Sequence, residues 1–117
     1  MIPAVSDNTT QALLASLRGL DARAAAIKNN IANVETPGYQ AHEVDFESSL
    51  TEALDDGDIG SASISDSRSL APTRLNGNNV SIDQQMTQMT DTELRHQLAI
   101  SALNSKYRLL RTAITGM

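Results

Sequence analysis

The stretch "NNIANVETPGYQA", Asn29 to Ala41, decides how this chain is arranged, because an apolar-periodic run stops there and a turn begins. Asparagine is a poor helix-interior residue, since its amide competes for nearby backbone groups, yet it tolerates the left-handed geometry that closes a helix. Asn29, Asn30 and Asn33 therefore mark a helix end. Pro37 removes a backbone donor and pushes Thr36 toward extended geometry, and Pro37-Gly38 at the centre of Thr36–Tyr39 is the signature of a type II turn. A plain helix stop is one reading. A docking elbow is the other, because three amides, a Thr hydroxyl and the Tyr39 ring supply more directed polar groups than a stop requires.

Upstream of this hinge, Leu13, Leu17, Leu20, Ala24, Ile27, Ile31 and Val34 follow at alternating steps of four and three, an unbroken heptad seam. Downstream, Ile82, Met86, Met89, Glu93, His96, Ile100, Leu103, Tyr107, Leu110 and Ile114 repeat the pattern with eight apolar residues in ten. Glu93 and His96 interrupt it, either as exposed or locally paired groups or as register-setting polar positions. Ser81-Ile82-Asp83-Gln84 is a capping box that starts the second run. As helices the two runs would be roughly 39 and 50 Å long. The fold expected is all-α: an N-terminal helix over 7–34 and a C-terminal helix over 81–115, packed as a coiled-coil-like rod. Residues 35–80 form a turn and a mostly irregular acidic loop between them.

That middle segment carries nine acidic and two basic residues, a net charge of -7, whereas the first 34 residues and the last 37 each sum to +1. "DDGDIGSASISDSRSLAPTRLNGNN" shows no sustained period and reads as a loop, with one short helix before it through Phe46, Leu50 and Leu54. The overall charge of -5 has the wrong sign for a protein that wraps phosphate backbones, which excludes nucleic acid as a natural partner. One Phe, two Tyr and no Trp in 117 residues leave little for a thick core. No segment is apolar enough to span a bilayer, and "MIPAVSDNTTQALLASLRGL" lacks the basic start and apolar run of a secretory signal, so export, if it happens, takes another route.

Chemistry finds no foothold. His42 and His96 are isolated, and there is no phosphate-binding glycine loop, zinc spacing or nucleophile motif, so no enzyme, cofactor or metal is expected. Asp55, Asp56 and Asp58 lack the bidentate Glu that would complete a calcium loop.

Ala32, Asn33, Thr36, Pro37, Gly38, Tyr39 and Ala41 match A-N-x-x-T-P-G-Y-x-A, and with the two flanking heptads the chain resembles the flagellar basal-body rod proteins. The C-terminal "ELRHQLAISALNSKYRLLRTAI", Glu93 to Ile114, and the short length look most like the proximal-rod member. The resemblance implies a single D0-like rod domain over 1–117 that assembles helically into the periplasm-crossing drive shaft, transmits torque to the hook and encloses the export channel. It also implies export through the flagellar type III apparatus without a cleaved signal, with the chain itself, other rod subunits, the adapter FliE and the export gate as partners. Leu14, Leu94, Leu98, Ala102, Leu109 and Ala113 widen the apolar surface beyond what one partner helix covers, so neighbours must complete it. A soluble coiled-coil adapter or export chaperone of a type III system would use the same heptads in a closed dimer.

Overall fold

The structure is a computed structural model and describes residues 8–116. Helix α1 runs Asn8–Ala32, strand β1 His42–Asp45, helix α2 Glu47–Asp56, strand β2 Ser65–Arg68 and helix α3 Ile82–Thr115, with a 3-10 turn at Ile59–Ser61. The molecule is a slender body of 64 × 29 × 14 Å. The long helices match the sequence reading. Position 7, placed at the start of the first helix, lies outside the described residues. The helix closes at Ala32, two residues earlier than Val34, as Asn33 shares its N–H between the carbonyls of Asn29 and Asn30, at 3.1 and 3.2 Å. That tightening is how a helix end satisfies carbonyls it would otherwise leave free.

α1 and α3 run antiparallel, because Asn30 meets Gln85 at one end and Asp21 meets His96 further along. The predicted first seam lies along their contact: Leu20 and Ile27 are buried, and Leu13, Leu17, Ala24, Ile31 and Val34 are partly so. The second seam does so only in part. α3 turns Gln85, Thr92 and Ala99 fully inward and Met89, His96, Leu103 and Leu110 partly inward. Ile82, Met86, Glu93, Ile100, Tyr107 and Ile114 are exposed. Five of these six lie three or four residues from the half-buried line, on its flank, and Ile82 lies three residues before the buried Gln85. The contact is thus not the expected coiled coil of seam on seam. Its rotation is set by the amide pair: Gln85 must face α1 to accept the bond from Asn30 Nδ2 at 3.0 Å. The same rotation buries the Thr92 hydroxyl without a hydrogen-bond partner.

The expectation of an all-α fold is also corrected. β1 and β2 pair antiparallel, His42 with Arg68 through Asp45 with Ser65, in the segment read as loop. A two-stranded ribbon is marginal alone, and this one is pinned to the helices. Val44 is the buried residue of β1, and its carbonyl accepts from Arg23 Nε at 3.2 Å and Nη2 at 2.8 Å. Phe46 follows and lies against Gly19 of α1 so closely that a Cβ there would sit 2.3 to 2.6 Å from ring carbons. Leu20, Ala26, Val44 and Phe46 form the core cluster, with Ala22 packed against it. α2 is the short helix expected from Phe46, Leu50 and Leu54.

Candidate assembly site

At the hinge, the residues singled out by sequence converge on one buried amide. Asn30 is fully buried. Its Oδ1 accepts from the Tyr39 hydroxyl at 3.0 Å and the His42 N–H at 2.8 Å, while Nδ2 donates to the His42 carbonyl and to Gln85 Oε1, both at 3.0 Å. All four bonding positions of the side chain are used, and one residue ties α1, the turn, β1 and α3 together. Asn33 Nδ2 donates to the Asn29 carbonyl at 2.8 Å, and its Oδ1 accepts from the Thr36 hydroxyl at 3.0 Å. Thr36–Tyr39 closes as a turn by Tyr39 N–H to the Thr36 carbonyl, with Gly38 at φ 74°, the left-handed value the third position of a type II turn demands.

The loop before α3 supplies a second half that the sequence reading passed over. Asn78, also fully buried, donates through Nδ2 to the carbonyls of Asn33 and Thr36 at 2.8 Å each. Its Oδ1 accepts from Val80 N–H at 2.8 Å. Asn79 Oδ1 accepts from Ala41 N–H at 2.7 Å, and its amide donates to Ser69 and Ala71 carbonyls. Arg74 donates to the carbonyls of Val34 and Val80. Gly77, at φ 83°, packs against the Gly38 backbone, where a Cβ would meet Gly38 Cα at 3.2 Å. The two turns interlock, "TPGY" held by "NGNN".

The docking-elbow reading therefore needs correction in one respect. Asn30, Asn33 and Tyr39 face into their own chain, because a hinge that brings backbone from three segments together must satisfy those groups internally. What remains on the outside is the tip, with Asn29, Ala32, Thr36, Pro37 and Gly38 exposed and Ala41 buried beneath. The signal for the missing partners was present: a second asparagine cluster, Asn76, Asn78 and Asn79, whose amides complement the first.

Beside the hinge, Arg23 holds the ribbon and α2 to α1. It donates to both carboxylate oxygens of Glu47, at 2.8 and 2.6 Å, and its guanidinium lies 4.9 Å from the Phe46 ring centre. The Arg23 hydrogen bonds hold the Glu47 carboxyl down from its ordinary value to about 2, and Glu47 in turn raises Arg23. Burial pushes the Tyr39 hydroxyl up. His96 faces Asp21 at 3.1 Å, so the interruption of the second seam makes an inter-helix polar contact, whereas Glu93 is exposed. Among the described residues no group of three or more His, Cys, Asp or Glu is placed to hold a metal ion, and no helix is long and apolar enough to cross a membrane.

A slender helix pair, latched at one end and exposing large apolar residues along α3, defines a class: elongated structural subunits. No protein-family model matches the sequence. The flagellar basal body rod protein FlgB of Bacillus subtilis (strain 168) is 32% identical over 121 residues, covering 92% of this chain and 94% of that protein. The FlgB proteins of Escherichia coli (strain K12) and Aeromonas hydrophila are 29% and 28% identical, covering 74% and 80% of this chain and 78% and 83% of theirs. The chain belongs to the flagellar basal body rod protein FlgB family.

Proposed function

We propose that the chain works as a structural subunit of the proximal rod, and that copies pack through the outer face of α3 to build a helical wall. The observation that carries this is the exposure of Met86 at 58%, Leu98 at 61% and Leu109 at 72% on one helix, with Ile100, Tyr107 and Ile114 also open to solvent. An exposed apolar stripe of this extent on a slender protein marks an interaction surface. α1 covers the opposite side of α3, so the cover has to come from outside. A different surface on each neighbour makes the contact heterologous, the kind that winds into a tube.

In that setting the rod is the drive shaft crossing the periplasm from motor to hook, enclosing the export channel, and the subunit reaches it through the flagellar type III apparatus without a cleaved signal. Other rod subunits, the adapter FliE and the export gate are the partners this reading assigns, and the whole chain acts as one D0-like domain. The adapter or export-chaperone reading finds no support among the relatives, which are rod proteins by name. Leu98→Glu with Met86→Glu tests the proposal. Far-UV circular dichroism stays unchanged, because both residues are more than half exposed, while sedimentation shows loss of polymer and cells expressing the variant lose motility. Normal rods in that variant overturn it.

A further inference from the structure

We propose that the groove where α2 lies across α1 receives the C-terminal end of α3 from another copy of this chain. The groove, about 270 Å3, has an apolar lining of Leu13, Leu20, Phe46, Leu50, Leu54 and Ala99, and Ser16, Thr51 and the Glu47–Arg95 ion pair complete its wall. Leu54 stands at its mouth, 44% exposed. The outer surface of α2 is acidic: Glu47 to Asp58 contains five acidic residues and no Lys or Arg. Glu52, Asp55 and Asp56 form no ion pair among the described residues.

The end of α3 has the complementary character. Residues 104 to 116 hold Lys106, Arg108 and Arg111 and no acidic group, and Arg108 and Arg111 form no ion pair among the described residues. Arg111 falls four residues after Tyr107 and three before Ile114, which puts a cation between two exposed apolar side chains on one face. Apolar residues fitting a greasy groove with a cationic edge against an acidic rim is the pairing these surfaces allow. It cannot form within one molecule: Ala99 lines the groove, and Ile114 lies about 22 Å further along the same straight helix. The contact joins unlike surfaces, so each copy offers a groove to one neighbour and a helix end to another, and the chain of contacts stays open. Electrostatic pairing at an exposed rim weakens with salt.

This inference rests on the assembly of copies proposed above, and the test separates the two. The chain contains no cysteine, so Leu54→Cys and Ile114→Cys introduce the sole thiols in the full-length protein. Assembled protein is oxidised and resolved without reductant. Equimolar Leu54→Cys and Ile114→Cys chains are expected to give a mixed dimer at least tenfold above either self-dimer, and the double variant a ladder of multimers. Reversing Arg108 and Arg111 to Glu, or Asp55 and Asp56 to Lys, lowers the mixed dimer several-fold at low salt, and combining the two reversed chains restores it. An Ile114→Cys self-dimer as abundant as the mixed one overturns the contact, as it shows α3 stripes pairing symmetrically. Polymer without the mixed cross-link, seen by sedimentation alongside, overturns this contact alone. Persistent monomer overturns it together with the assembly reading.

Discussion

Replacing Gly19 by alanine sets two effects of opposite sign against each other. In an ordinary helix interior the change stabilises by about 1 kcal/mol, because alanine loses less backbone freedom on folding. At Gly19 the new methyl would lie 2.3 to 2.6 Å from three carbons of the Phe46 ring, far inside contact distance, so the ring has to leave. Phe46 is buried in the core cluster and stacks under Arg23. Exposing a large apolar side chain costs about 1.5 to 3 kcal/mol, and losing the cation–π contact about 0.5 to 1 more. The second effect wins, and Gly19→Ala destabilises by about 1 to 3 kcal/mol, the range found for overpacked cores. Urea unfolding followed at 222 nm, at concentrations where sedimentation shows monomer, reads it. The decisive control is a double-mutant cycle: with Phe46→Ala in place the clash is gone, and Gly19→Ala becomes stabilising by about 1 kcal/mol. If Gly19→Ala raises stability in the otherwise unchanged chain, or has the same sign in both backgrounds, the packing argument fails.

Three other outcomes follow from the hinge and its surroundings. Asn30→Ala strands Gln85, His42 and Tyr39 groups and costs about 3 kcal/mol or more, whereas Asn29→Ala, on the exposed side, stays within about 0.5 kcal/mol, both by urea unfolding. Thr92→Val removes a buried hydroxyl that has no partner at nearly constant shape, and stabilises by about 1 kcal/mol; a loss of stability would show that the hydroxyl is satisfied. Because the folded Glu47 carboxyl sits near 2 and its ordinary value is 4.5, the Arg23–Glu47 contribution is complete above about pH 4.5 and disappears as pH falls toward 2. Glu47→Gln flattens the stability profile over that window, by about 1 kcal/mol at most since the side chain is half exposed, and an unchanged acid limb refutes the pairing.

Residue periodicity made the two long helices readable, since Leu20 and Ile27 repeat on one face of α1 and nothing in the sequence competes with them. It misjudged the rotation of α3 because the buried line there is Gln85, Thr92 and Ala99, small or polar side chains that carry no hydrophobic signal. What orients the helix is a specific amide pair 55 residues apart in sequence, and no local pattern encodes it. β2 was invisible for a similar reason: "SDSR" has no apolar alternation and every residue is exposed, so its pairing depends on β1 and on the bonds around Ala41 and Gln40. The turn at Pro37-Gly38 was legible because its chemistry is local. Its clasp by Asn78 and Asn79 left a cue in the second asparagine cluster but not a pairing, since asparagine-rich segments look alike whether they dangle or lock.

The rotation of α3 also limits how far evolution or an engineer can improve the isolated molecule. Greasing the inner line, for instance with leucine in place of Gln85 and Thr92, would reward the helix for rolling its oily flank onto α1. A tighter, more self-contained hairpin would result, one with less reason to seek company. A modest grip between the two helices of a single molecule is thus a condition of sociability.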